Sequence, residues 1–239
     1  MVKRDFILIP LYILFQSILP IIIVFDTLGI TAIITQQSPS DWLYHFSLSL
    51  SFVLAQGSVL FIFYLMHKGT LTNVVQRQFN QSTEYIWRLF KIVIVVSLLL
   101  IVVQWLIHST SIKLYGAHTQ YEQRVLGLFK LPISLLFTFI SMVILRPMIE
   151  QLLYRHLIIH ELGKVWNKTV VVLLSIAIET IVHVYDMFSI FEMVPYLIIA
   201  CGTTYLYIKT HHNIVIAYLF QVSIQFIFFI ETLCKIYVF

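Results

Sequence analysis

Long unbroken runs of apolar residues, parted by short polar breaks, set the pattern of this chain. They cover residues 6–25 (with 26–34 still mostly apolar), 42–66, 89–107, 131 through Pro147 to about 160, 169–184, 187–208 and 213–233. A helix that crosses a bilayer needs about 20 mainly apolar residues. Strands of a lipid-facing barrel would alternate apolar and polar positions instead. The pattern predicts an all-α polytopic membrane helix bundle of about seven transmembrane helices, or eight if the first run is a re-entrant pair. Two longer polar stretches, His67 to Arg88 and His108 to Lys130, read as interfacial loops.

Composition agrees with lipid as the solvent. Of the 239 residues, 60% are hydrophobic and 11% charged, against about 25% charged in soluble domains. The net charge of +4 does not point to nucleic acid, because the basic residues sit mostly in the connections between apolar runs. There they act as topology signals and anionic-lipid contacts. With seven spans, eleven of the fifteen Lys and Arg fall on the side of the N-terminus, which predicts a cytoplasmic N-terminus. Met1-Val2-Lys3-Arg4 before an apolar run mimics a secretory signal, but the run is long and lacks a small-x-small cleavage site, so it reads as a retained first span. Cys201 and Cys234 each fall inside an apolar run and read as small packing residues.

Polar pairs interrupt three of the later runs. Residues three or four apart share a helix face. The fourth run carries Gln151 and Arg155 with Glu150 beside them, the fifth Glu179 and His183, the seventh Gln221 and Gln225. A charge in hydrocarbon costs roughly 2.5–3.5 kcal/mol on insertion scales, so such residues usually face a bundle interior or a wet cavity. Three pairs on separate helices predict one shared polar pocket. Other readings exist for each. Glu150 and Arg155 could form a structural ion pair, His183 a buried hydrogen-bonded histidine, and the glutamines interhelical hydrogen bonds. His211 and His212 read as a solvated pair at a turn. Glu150, Glu179 and His183 as a proton path in a small transporter form a further reading, disfavoured because no inverted repeat is visible.

Pro147-x-x-Glu150-Gln151-x-x-x-Arg155, at the end of a long apolar helix, resembles the P-x-x-E-E-x-x-x-R motif of the CPBP family, the type II CAAX prenyl endopeptidases and bacteriocin-processing intramembrane proteases. The family's next motif, F-x-x-x-H, is matched by Glu179-x-x-x-His183, and its last, H-x-x-x-N, by Gln221-x-x-x-Gln225. Gly202 and the Lys209-Thr210 turn lie where the family often has glycine and a Thr-Gly turn. The resemblance divides the chain into accessory helices over 1–125 and CPBP-like core helices over 126–239. It implies that Glu150 is the base that activates a water, that His183 orients the water or binds a metal, and that Gln221 and Gln225 occupy oxyanion-side positions. Arg155 would hold the helix and pair with Glu150 or a neighbouring helix, with Gln151 and Glu179 in support.

The departures are Gln151 for the second glutamate, Glu179 for phenylalanine, Gln221 for histidine and Gln225 for asparagine. A primary amide can donate to an oxyanion but is a poor zinc ligand. A divalent metal such as zinc on Glu150, Glu179 and His183 therefore stays open without being required. The resemblance implies an intramembrane endopeptidase in a bacterial cytoplasmic membrane, acting on a membrane-associated peptide or protein. The alternative is a catalytically degenerate relative that binds a peptide or membrane partner in an immunity or regulatory role.

Overall fold

The computed structural model describes residues 3–109, 127–129, 131–184 and 190–237. Every regular element among them is helical. A 3-10 turn, Lys3–Ile7, leads into α1 (Leu8–Thr35); α2 is Asp41–Met66 and α3 is Leu71–Ser82. A further 3-10 turn, Thr83–Tyr85, joins α3 to α4 (Ile86–Ser109). Then come α5 (Pro132–Lys164), α6 (Lys168–Val184), α7 (Ile190–Lys209) and α8 (Ile214–Tyr237). With α3 and α4 counted as one run, the described residues form seven helices, the number expected, and the first apolar run is a single helix rather than a re-entrant pair. Among the described residues, five helical runs are long and apolar enough to cross a membrane: Arg4–Thr35, Asp41–Met66, Leu71–Ile107, Pro132–Lys164 and Ile214–Tyr237. The protein is an integral membrane protein. Most of the stretch His108 to Lys130 and the expected start of the sixth run lie outside the described residues.

One expectation is corrected. Residues 71–82 form a helix, not a loop. No glycine or proline interrupts Leu71 to Ser109, and Leu71, Val74, Val75, Gln78, Phe79 and Ser82 fall on one helical stripe. At 1.5 Å per residue the run Leu71–Ile107 is about 55 Å long, well beyond the hydrocarbon thickness of roughly 30 Å. The polar α3 is the excess.

Proline in α5 is met by widening. The α-helical stretch Arg146–Glu150, which contains Pro147, lies between π-type turns over Ile140–Leu145 and Gln151–Glu161. A proline removes one backbone donor and crowds the preceding turn. Wider turns absorb that without breaking the helix, and they recur at functional sites.

Two compact units result. One comprises the described residues within 3–68, 122–149 and 225–239. In it α1 and α2 pack together, with Thr27 Oγ1 donating to Ser47 Oγ at 2.9 Å, and Ser141 of α5 donates to Gln56 Oε1 at 3.0 Å. The other comprises the described residues within 69–121 and 150–224. It holds α3, α4, the later part of α5, α6, α7 and the first half of α8. Inside it α4, α7 and α8 approach closely at Gly202, where a Cβ would stand 3.0 Å from Phe220 and 3.1 Å from Val96. Helix ends in this unit are capped: Asn167 Oδ1 accepts from Thr169 N at 2.9 Å and Asn213 Oδ1 from Ile216 N at 3.2 Å. Gln78 of α3 adds a cap from outside the helix, its Oε1 accepting from Ile214 N at 3.1 Å.

Candidate active site

Six of the seven residues singled out by spacing lie in the second unit, and five are essentially buried: Glu150 is 3% exposed, Gln151 and Arg155 0%, Glu179 2% and Gln221 1%. The side chain of His183 is 7% exposed. Gln225, one helical turn beyond Gln221, falls in the first unit, half-buried.

Two rungs join α5 to α6. At the first, His183 Nε2 lies 3.3 Å from Glu150 Oε1. At the second, Arg155 Nη1 lies 2.7 Å from Glu179 Oε2. Glu150 to Arg155 advances along α5 as His183 to Glu179 runs back along α6, the register of antiparallel neighbours. A turn further on, Ser175 Oγ donates to the Tyr154 carbonyl at 3.0 Å. Arg155 also reaches α7, with Nη2 donating to Ala200 O and Thr204 Oγ1, both at 3.3 Å. A guanidinium has five donors in a fixed fork, and here it ties three helices together. Of the two partners open to Arg155, Glu150 or a neighbouring helix, the ion pair forms with Glu179 of the neighbouring helix.

An amide chain closes the other side of Glu150. Gln151 Nε2 donates to Gln221 Oε1, and Gln221 Nε2 donates to Glu150 Oε2. Both carboxylate oxygens of Glu150 are therefore engaged, one by an imidazole and one by an amide.

The position of one proton follows. His183 Nδ1 lies 2.8 Å from the Glu179 backbone carbonyl, which can only accept, so Nδ1 carries a hydrogen. In a neutral imidazole the other nitrogen is then a bare acceptor. Facing a bare carboxylate oxygen, it would repel. One proton must lie between Glu150 and His183, as carboxylic acid with neutral imidazole or as carboxylate with imidazolium. The ring of Tyr196, 4.9 Å away centroid to centroid, covers the imidazole. Tyr196 carried no signal in the sequence: it is one tyrosine of thirteen, outside every polar pair.

A zinc ion does not suit this donor set. Glu179 turns its carboxylate to Arg155 and offers His183 only its backbone, and beside Glu150 the one imidazole, His183, is joined only by amides. Among the described residues no three His, Cys, Asp or Glu side chains lie together as a metal site. At the turn before α8, His211 and His212 are exposed, both with positive φ, 56° and 63°. The partial burial of its ring, with Lys168 and His211 nearby, holds His212 below its ordinary range.

Residues 132–227 match the family model described as type II CAAX prenyl endopeptidase Rce1-like. No curated protein and no solved structure matches the chain. The matched stretch contains Glu150, Arg155, His183, Gln221 and Gln225, and over residues 132–227 this chain is similar to the type II CAAX prenyl endopeptidase Rce1-like family.

Proposed function

We propose that the protein is an intramembrane endopeptidase that cleaves a membrane-associated peptide, with residues 1–125 as accessory helices and the N-terminus on the cytoplasmic side of a bacterial membrane. The contact between Glu150 and His183 carries the proposal. A buried acid and an imidazole sharing one proton form a general acid–base pair. With the proton on His183, Glu150 is a carboxylate able to take a proton from a water. The water oxygen adds to the scissile carbonyl, the carbon–nitrogen bond then breaks, and the proton held by the pair passes to the leaving amine. Gln221 has two amide hydrogens. One is given to Glu150, and the second serves the developing oxyanion, at the position where the resemblance implies such a donor.

The second reading, a binding relative without turnover, draws on the same amide chain. Gln151 and Gln221 hold Glu150 firmly and supply no second base. The two readings separate in one assay. Purified protein in liposomes is given C-terminal peptides with and without a prenyl group. Turnover by the wild type, falling about 100-fold or more in Glu150→Gln, supports the endopeptidase. Equal turnover in that variant sinks it, and peptide binding without any turnover selects the binding relative.

A further inference from the structure

We infer that Glu179 is the counter-charge of Arg155 and that it makes the buried cluster electrically neutral, so that residue 151 must be uncharged. Arg155 is wholly buried and its one close carboxylate among the described residues is Glu179, at 2.7 Å on a different helix. The charged groups around Glu179 are Arg155, Glu150 and His183. Glu150 and His183 with their single shared proton sum to zero, and so do Arg155 and Glu179. Neutrality matters because an uncompensated buried charge is strongly destabilising while a matched pair is tolerated. Gln151 lies one turn before Arg155, and an acid there would add a second carboxylate beside a guanidinium already matched by Glu179.

Two orphan atoms support the assignment. Among the described residues, Gln151 Oε1 and Arg155 Nε are both buried without a hydrogen-bond partner. They are an acceptor and a donor four residues apart on one helix, within side-chain reach. A carboxylate at 151 could therefore serve Arg155 if the one at 179 were removed. The counter-charge has two places to sit and this chain uses the one on α6. That choice makes Glu179 a positioning residue: its carboxylate fixes α6 against α5 one turn from the Glu150–His183 contact.

The test is a charge-transfer cycle on the full-length protein in detergent, read first by heat unfolding. Glu179→Gln and Gln151→Glu should each lower the unfolding temperature by roughly 5–10 °C. The double variant, with its carboxylate moved from 179 to 151, should return to within about 3 °C of wild type. If Glu179→Gln fails to fold, recovery of folded protein in the double variant is the same result. Removing both charges, as Glu179→Leu with Arg155→Met, should likewise be milder than either change alone. Singles as stable as wild type, or a double variant that loses the sum of both, overturn the inference. These readouts need no turnover, so they stand apart from the proteolytic proposal. The positioning role rests on that proposal and adds one readout: Glu179→Gln should lower kcat with KM unchanged and the double variant restore it, and an unaltered kcat in the single variant removes that role.

Discussion

Gln221 uses both ends of its amide, accepting from Gln151 and donating to Glu150. Replacing it with leucine strips both partners at once. Gln151 is then left with an unsatisfied buried donor beside its already orphaned oxygen. The expected cost is about 1–3 kcal/mol, measured as a lower midpoint of thermal unfolding. Gln221→His keeps a donor towards Glu150 and should recover most of that loss. A leucine variant as stable as the wild type would show that the amide chain is not formed. The amide at 221 was visible in the sequence as a polar position in an apolar helix. Its partners were not, since they depend on side-chain direction across helices.

Spacing along one helix was legible, and register between helices was not. The pairs Gln151/Arg155 and Glu179/His183 follow from a period near 3.6. That Arg155 meets Glu179 and Glu150 meets His183 follows from how far α6 slides along α5. The short turn after Lys164 and the packing of Ser175 on Tyr154 govern that slide, and neither is encoded as a motif. The helix α3 was hidden for a different reason: polarity was read as a loop, whereas the lack of any glycine or proline was the better guide. Close approach of α4, α7 and α8 gives a prediction of its own. Phe220 is 0% exposed and Val96 5%, so neither can swing away from a larger side chain at 202. Gly202→Leu should cost about 1–3 kcal/mol by overpacking, read by thermal unfolding, and an unchanged midpoint would place the contact elsewhere.

The turn between α7 and α8 is expected to respond to acid through His212. His212 sits below its ordinary 6.5, so the folded state holds fewer protons at this site than the unfolded one. Its contribution to stability is intact above pH 6.5 and is lost as pH falls through the lowered value. Asparagine tolerates a positive φ and does not titrate. His212→Asn should flatten the stability profile below pH 6.5, and an unchanged slope would assign the acid sensitivity to other groups.

At the scale of the whole molecule, the membrane sets the terms. Helices satisfy their own backbone in lipid, and that is why the fold class could be read from hydropathy alone. The same solvent makes the Glu150–His183 and Arg155–Glu179 cluster expensive unless it is neutral and fully paired. Its donors do not suit a metal, so chelators should leave turnover unchanged, and loss of activity on chelation with recovery on added zinc would reverse that view. The most direct measurement is peptide turnover in liposomes by wild type, Glu150→Gln, His183→Gln and the double variant. If one shared proton makes the two residues a single catalytic unit, each single variant loses about 100-fold or more and the double loses no more than the worse single. Full turnover in either single variant, or losses that multiply in the double, would contradict it.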